Sequence, residues 1–249
     1  LDRPDQIYAA VLAHADARIG QVLDHLEQLG ILDDTLVIFC SDNGPARAVA
    51  PGEPKVYYDG ATGAGWGVEA SKGITGGRRG YKMSLFEGGV GVPFIVRWPG
   101  KVEAGRVEDR SLISSVDLLP TFCRVTGASM PGDYVADGVD ILNVIQGTPR
   151  ESRETPLFWK YESAWPPNPQ RPDHWVSWAV LKGRWKLVGN QDLSYLELFD
   201  IAGDVAESND VREEQISVAE EMLDELKRWQ SSLPQEPTGD VFSELRKSL

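Results

Sequence analysis

The 249-residue sequence is poor in the residues that build disulfide frameworks, zinc sites and membrane spans. It contains two cysteines, Cys40 and Cys123, and three histidines, His14, His25 and His174. Two cysteines make neither a disulfide framework nor a zinc cluster. Both lie in apolar patterns, which predicts small core residues rather than reactive thiols. No run of about 18 apolar residues occurs, so no transmembrane helix is expected.

Positive charge is scarce as well. The sequence has 25 lysines and arginines against 38 acidic residues, a net charge of -13, which argues against a nucleic-acid binder. Between residues 45 and 101, however, basic residues exceed acidic ones by four. This local excess suits an anionic ligand, unless it is simply a set of solvated side chains. The opening LDRPDQIYAA has no initiator methionine and none of the regions of a signal peptide.

Apolar periodicity organises the first part of the chain. Apolar residues recur at spacings of three and four between Ile7 and Leu29, which predicts an amphipathic helix. Residues 35–40 follow as a continuously apolar strand. A helix followed by such a strand is typical of a parallel sheet covered on both faces. The sequence also predicts a second buried strand over residues 92–98 and a helix over residues 116–125.

The motif FCSDNGP, residues 39–45, places two side-chain oxygens at the end of the first predicted strand. Aspartate, asparagine, glycine and proline all form turns, so an Asx turn is one interpretation of Asp42 and Asn43. Ligands bind at the carboxyl ends of parallel strands, which favours a binding site instead. The glycine-rich segment 44–80 is too long for an ordinary connection. We expect it to be the least ordered internal segment.

The character of the sequence changes near residue 155, so we divide the chain into domains 1–155 and 156–249. Five prolines and four tryptophans between residues 156 and 178 predict irregular structure. The sequence then predicts a hairpin of residues 178–181 and 185–188, a strand over 196–201 and a helix that begins at Asp210. The second domain is therefore expected to be a small antiparallel sheet with one packed helix.

Six segments of this sequence, in the same order, resemble the sulfatases of the alkaline phosphatase superfamily. They are DDTLVIFCSDNGP, RRGYKMSLFEGGVGVPFIVRWPG, SSVDLLPTFCRVTGA, ADGVDILNVIQG, WAVLKGRWKLV and YLELFDIAGDVAESND. Each is weak by itself, but together they cover most of the chain. The resemblance implies an α/β fold, in which part of a mostly parallel, alkaline-phosphatase-like sheet is flanked by helices. A small α+β subdomain with an antiparallel sheet and a C-terminal helix would follow.

The resemblance implies three site residues. Asp42 and Asn43 match a metal-binding pair and would supply oxygen ligands to a divalent cation, usually calcium in this family. Calcium accepts both carboxylate and amide oxygens. Lys82 matches the lysine that contacts the sulfate ester, and an ammonium suits an oxyanion that gains negative charge in the transition state. Arg79 is interpreted as a structural neighbour of Lys82.

The sequence lacks the Cys/Ser-x-Pro-x-Arg motif from which sulfatases make their formylglycine nucleophile. The family's paired N-terminal aspartates and the catalytic lysine and histidines of its first half are missing too. We therefore interpret the chain as the C-terminal part of a sulfatase and expect it to be inactive by itself. An N-terminal half, or an oligomer partner, would supply the rest of the site. The three histidines match no family motif and are expected at the surface or in structural positions.

The resemblance implies a sulfate ester as substrate, with sulfated carbohydrates among the candidates, and a periplasmic, lysosomal or secreted location. Tryptophans between residues 159 and 178 would stack on sugar rings or pack in the core. Two alternatives remain open. A phosphate or phosphonate ester hydrolase of the same superfamily shares the scaffold, but its relatives often carry histidine where Asn43 stands, which suits zinc or manganese. A non-catalytic, sulfatase-like chain would also lack the nucleophile.

Overall fold

The fold was analysed in a computed structural model that describes residues 3–46, 73–130, 132, 134–150, 152–161 and 172–234. Its helices are α1 (Arg3–Gln28), α2 (Glu87–Val90), α3 (Leu118–Thr126), α4 (Leu142–Ile145) and α5 (Ile216–Ser232). Its strands are β1 (Val37–Cys40), β2 (Phe94–Arg97), β3 (Leu157–Lys160), β4 (Trp178–Lys182), β5 (Trp185–Gly189) and β6 (Leu196–Asp200). Most of the glycine-rich segment 44–80 and much of the tryptophan-rich stretch lie outside the described residues.

The first sheet differs from the parallel sheet expected from sequence. Strands β1 and β2 pair with each other in antiparallel register, with Val37 opposite Arg97. A continuously apolar strand is typical of a parallel sheet but does not fix strand direction, because direction depends on how the intervening chain returns. Within the described residues this sheet has two strands, so the expected parallel sheet is not observed.

Burial in this region also departs from expectation. Phe39 on β1 is 44% exposed and Ile95 on β2 is 60% exposed, so neither strand is buried on both faces. Cys40 is exposed rather than a core residue, and Cys123 is half-buried. The amphipathic helix forms as α1, yet Val11 and Val22 on its apolar side are mostly exposed. No helix among the described residues is both long and apolar enough to cross a bilayer.

The second sheet is antiparallel, as predicted. Strands β3 to β6 pair in chain order, and the predicted hairpin joins β4 to β5 with Lys182 opposite Trp185. Strand β3, which pairs with β4, was missed because LFWK lies in a proline-punctuated stretch. The last helix begins at Ile216 rather than Asp210, since the Asp210 carboxylate accepts hydrogen bonds from the main-chain N–H groups of Leu198 and Arg212. The division at residue 155 stays a prediction.

Both faces of this sheet are buried. One face packs against α5 through a cluster of buried residues from the sheet and the helix, namely Trp178, Val180, Leu187, Leu198, Ala219, Met222 and Leu226. The opposite face packs against Leu85 and Phe86, which belong to the first half of the chain, through Ala179, Val188 and Phe199. Side chains on alternate faces of a strand explain how neighbouring residues join different clusters. The second sheet therefore forms a core with the segment that precedes α2.

A buried ion pair joins segments that lie, in chain order, between the strands of the two sheets. Arg153 donates hydrogen bonds of 2.7 and 2.8 Å to the two oxygens of Asp117, and neither side chain is more than 1% exposed. The same carboxylate accepts hydrogen bonds from the main-chain N–H groups of Ser114 and Val139. With four donors satisfying it, Asp117 ties the start of α3 to two later segments.

Removal of the Asp117 carboxylate should therefore be strongly destabilising. We expect Asp117→Ala to lower the free energy of unfolding by about 3–5 kcal/mol, because the Arg153 charge would remain buried without a partner. Urea denaturation followed by circular dichroism measures the change. Asp33→Ala is the control, since Asp33 is 83% exposed and pairs with Arg97 at 3.3 Å, and it should cost less than about 1 kcal/mol. Equal losses in the two variants would contradict this account.

Candidate functional site

The turn that follows β1 presents Asp42 and Asn43 at the carboxyl end of the strand. The Ser41 hydroxyl donates to the main-chain oxygen of Asn43 at 2.8 Å, and the Asn43 N–H donates to Asp42 Oδ1 at 3.0 Å. The Asn43 side-chain amide donates to the Gly44 carbonyl oxygen at 2.9 Å. Asp42 is exposed and Asn43 is half-buried. The segment is thus a turn held by local side-chain hydrogen bonds, in which the Asp42 side chain is also accessible to solvent.

Close backbone contact joins this turn to α2. The Gly44 N–H donates to the Gly89 carbonyl oxygen at 2.8 Å. A Cβ on Gly44 would lie 1.9 Å from the Gly88 carbonyl oxygen, so only glycine allows this approach. A Cβ on Gly88 would likewise lie 2.2 Å from the Gly80 carbonyl oxygen, and one on Gly89 would lie 2.0 Å from the Ser84 carbonyl oxygen, so close main-chain packing requires both glycines of EGG.

Lys82 lies next to the turn that follows β1. Its main-chain N–H donates to the Pro45 carbonyl oxygen at 2.9 Å, and its side chain is exposed. Lys82, Asp42 and Asn43 line one open cleft of about 1730 Å³, which Arg78 also lines. The structure therefore brings together the three residues singled out in the sequence, at the carboxyl end of β1. Their chemical roles stay predictions.

Arg79 points away from the cleft into the second sheet. Its guanidinium donates hydrogen bonds of 2.8 Å to Asp173 and to Glu197, and it lies 3.8 Å from the centre of the Phe86 ring. Burial disfavours its charge, but the hydrogen bond to Asp173 and the charge of Glu197 outweigh burial and raise the pKa of Arg79. These contacts agree with the structural interpretation of Arg79.

A buried charge cluster that the sequence analysis missed lies beside the cleft. Lys186 on β5 is fully buried, and its ammonium donates a hydrogen bond of 2.8 Å to the Glu87 carboxylate. It also lies 2.9 Å from Oε1 of the fully buried Glu207, although these two groups are not aligned as a hydrogen bond. A lysine inside the apolar strand WKLVG is a signal that could have been noticed, because such a lysine needs a buried partner.

Glu207 is unusual in backbone and in charge. Its backbone φ of 49° lies in the left-handed region, which residues other than glycine rarely adopt. Burial raises the pKa of Glu207, and the charge of Lys186 and the Glu87 N–H only partly offset this rise.

The histidines take no part in this arrangement as far as the structure describes them. His14 and His25 are exposed on α1, as expected. His174 lies in a short 3₁₀ helix, Pro172–Trp175, and its side chain is outside the described part.

Donors for a cation are few among the described residues. No group of three or more His, Cys, Asp or Glu side chains in this part of the chain could hold a metal ion. Asp42 and Asn43 are oxygen donors of the kind calcium prefers, but calcium takes about six to eight ligands. The residues present therefore fit a divalent cation in kind and fall short in number.

Comparison with known proteins decides the family. The sulfatase family model matches residues 3–128, and a second model, described as N-sulphoglucosamine sulphohydrolase, C-terminal, matches residues 79–232. The chain belongs to the sulfatase family. The resemblance identified from the six sequence segments is thereby confirmed.

Individual sulfatases show how much of the family's length is present. An N-acetylgalactosamine-6-O-sulfatase of Bacteroides thetaiotaomicron is 28% identical over 232 residues, which cover 87% of this chain and 40% of that protein. The steryl-sulfatase of Mus musculus is 37% identical over 153 residues, which cover 61% of this chain and 22% of that protein. The chain thus matches less than half the length of these curated sulfatases.

Solved structures share the fold. Ps i-CgsB in complex with k-i-k-neocarrahexaose matches with a TM-score of 0.70 and 21% identity, over 100% of this chain and 50% of that one. The structure of BT4656 in complex with its substrate D-glucosamine-2-N,6-O-disulfate matches with a TM-score of 0.58 and 22% identity. The match covers 88% of this chain and 39% of that one. At these identities the similarity establishes the fold alone.

The raised pKa of Glu207 predicts a distinct pH dependence of stability. The folded state binds the proton more tightly than the unfolded state, whose pKa is near 4.5. This contribution is full below pH 4.5 and is lost as the pH rises through the folded-state pKa. The free energy of unfolding of the wild type, relative to Glu207→Gln, should therefore fall in urea titrations as the pH rises above 4.5.

Glu108→Gln is the matched control with the opposite sign. Hydrogen bonds from the N–H groups of Arg110 and Ser111 lower the pKa of Glu108. Its contribution is present above pH 4.5 and is lost as the pH falls through the folded-state pKa. A difference between wild type and Glu207→Gln that stays flat or rises with pH would refute the assignment at Glu207.

Proposed function

We propose that this chain carries part of the site of a sulfuric ester hydrolase. The observation that supports it most is the convergence of Lys82 with Asp42 and Asn43 on one cleft, held by the hydrogen bond from Lys82 to Pro45. In this proposal the Lys82 ammonium binds the non-bridging oxygens of the sulfate ester. Asp42 and Asn43 are two of the oxygen ligands of a divalent cation, and calcium suits them.

Each role follows from the charge that develops in the reaction. Attack at sulfur and departure of the alcohol leave negative charge on the sulfate oxygens, and an exposed ammonium at the rim of the cleft can stabilise it. A cation held by Asp42 and Asn43 would supply further positive charge at the same oxygens. The tight turn after β1 orients the Asp42 and Asn43 side chains before substrate binds, so the protein need not reorganise during the reaction.

A sulfated carbohydrate is the substrate class that we propose. The N-acetylgalactosamine-6-O-sulfatase is similar to 87% of this chain, and a structure of the same fold contains a glucosamine disulfate. The cleft is open and large enough for a saccharide. Asn43, rather than a histidine, favours a hard oxygen site and hence a sulfatase over the phosphate or phosphonate ester hydrolases.

We further propose that the 249 residues do not turn over sulfate esters by themselves. Family catalysis runs through a covalent step on formylglycine, and no Cys/Ser-x-Pro-x-Arg motif occurs in this sequence. The purified chain should show no turnover of an activated aryl sulfate with calcium present. Activity should appear when a separately produced sulfatase N-terminal half is added. Steady turnover by the chain alone, abolished by Asp42→Ala, would overturn this proposal.

Lys82 provides the decisive variant in the mixed assay. Loss of one donor to a developing oxyanion typically lowers kcat by a factor of about 10²–10³. We therefore expect the Lys82→Ala substitution to lower kcat by about that factor. Lys101→Ala is the control, because Lys101 is also exposed but does not line the cleft. Hydrolysis rates for the sulfate ester and the phosphate ester of the same alcohol show which of the two esters the enzyme prefers. Equal activity of the two lysine variants would remove Lys82 from the site.

A further inference from the structure

Glu207 touches both ends of the segment that carries Lys82. We name residues 79–89 the Lys82 loop. At one end the Arg79 guanidinium donates to the Glu207 main-chain oxygen at 3.4 Å. At the other end the Glu87 N–H donates to Glu207 Oε2 at 2.5 Å. One residue, 120 positions along the chain from Glu87, therefore contacts the start and the end of the loop.

Lys186 adds a second connection to the same end. Its ammonium lies between the carboxylates of Glu87 and Glu207, at 2.8 and 2.9 Å. Glu207 and Lys186 both belong to the second half of the chain, on or next to the four-stranded sheet. Both faces of the sheet are buried and closely packed, which makes the sheet rigid. Glu207 and Lys186 therefore anchor the Lys82 loop to a rigid part of the structure.

Stability alone does not account for this cluster. Burial of charges costs free energy that their mutual attraction often fails to recover, so apolar residues of similar size would serve a core at least as well. A left-handed backbone at a residue other than glycine adds strain of about 1–3 kcal/mol. Buried polar clusters of this kind can instead specify one geometry among several.

The position of the loop is passed on to Lys82 through main-chain hydrogen bonds. The Gly88 N–H donates to the Arg79 carbonyl oxygen at 2.6 Å and closes the loop at its base. The Lys82 N–H donates to Pro45, and the Gly44 N–H donates to Gly89. A shift of the base would therefore move Lys82 relative to Asp42 and Asn43.

We propose that Glu207 is a positioning residue for Lys82, acting through Arg79, Glu87 and Lys186. The relevance of this role to catalysis rests on the function proposed above. Lys186 and Glu207 lie in two of the sequence segments that resemble sulfatases, WAVLKGRWKLV and YLELFDIAGDVAESND. Neither residue lines the cleft, so both act at a distance from the sulfate ester.

The chain offers its own reporters for a test that needs no turnover. It contains three methionines, of which Met83 follows Lys82 directly and Met222 lies on the buried face of α5. Selective ¹³C labelling of the methionine methyl groups gives separate NMR signals for the loop and for that core. Met83 has a φ of 72°, so its signal should respond to any rearrangement of the loop.

We expect Glu207→Ala to abolish the wild-type Met83 signal while the Met222 signal stays in place. Glu207→Gln keeps an acceptor for the Glu87 N–H but removes the charge beside Lys186, so it should move Met83 less and in the same direction. If Glu207→Ala does not fold, as loss of the Met222 signal would show, Glu207→Gln decides. A Met83 signal that is unchanged in the folded variant overturns the proposal.

Glu225→Ala is the matched control. Glu225 lies on α5 and accepts a hydrogen bond of 2.6 Å from Lys182, the residue that ends β4 at the hairpin turn. Its removal should leave Met83 unchanged, and an equal Met83 shift in this variant would overturn the proposal. The NMR result stands whether or not the mixed chains hydrolyse sulfate esters, so failure of the positioning role and failure of the proposed function are distinguishable.

Discussion

The fully buried ring of Phe86 is the contact on which the arrangement of the site depends. It packs edge-on against Trp175 and Phe199 at ring-centre distances of 6.1 Å, and the Arg79 guanidinium lies over its face. Burial of one such side chain is worth about 1.5–3 kcal/mol. Because Phe86 directly precedes α2, its burial holds the EGG segment against the four-stranded sheet. The SDNGP turn and Lys82 are then placed by main-chain hydrogen bonds to the segments on either side of α2.

Charge and apolar packing act on the same segment in different ways. Burial of Phe86 stabilises the packing of this segment but does not fix its orientation, since the hydrophobic effect is not directional. Arg79, Lys186 and Glu207 add ion pairs and hydrogen bonds whose geometry is specific. Burial of Phe86 keeps the Lys82 loop packed against the sheet. The ion pairs and hydrogen bonds fix the position of the loop on it. Arg79 and Lys186 pair with buried or half-buried carboxylates, whereas the side chain of Lys82 is exposed and lines the cleft.

Some of the family segments line the cleft and others pack in the interior. SDNGP and Lys82 meet at the cleft, whereas SSVDLLPTFCRVTGA and ADGVDILNVIQG meet in packing. The Thr121 hydroxyl donates to the Asp117 carbonyl oxygen and accepts from the Ile141 N–H, and both threonine and isoleucine are buried. A motif shared with a family is therefore no sign by itself that its residues take part in the reaction.

The sequence by itself determined the local elements and the three cleft residues. Period-3.6 patterns located α1 and α3, and the Lys182–Trp185 turn located the central hairpin, because such patterns depend on residues a few positions apart. Asp42, Asn43 and Lys82 were found because a short motif carries them. Tertiary structure alone decided the antiparallel pairing of β1 with β2, the existence of β3, and the late start of α5. It also decided that Glu207, 120 positions from Glu87, meets Lys186 beside the Lys82 loop. Strand direction, burial and ion pairing between distant residues depend on which segments meet, and local sequence does not encode that.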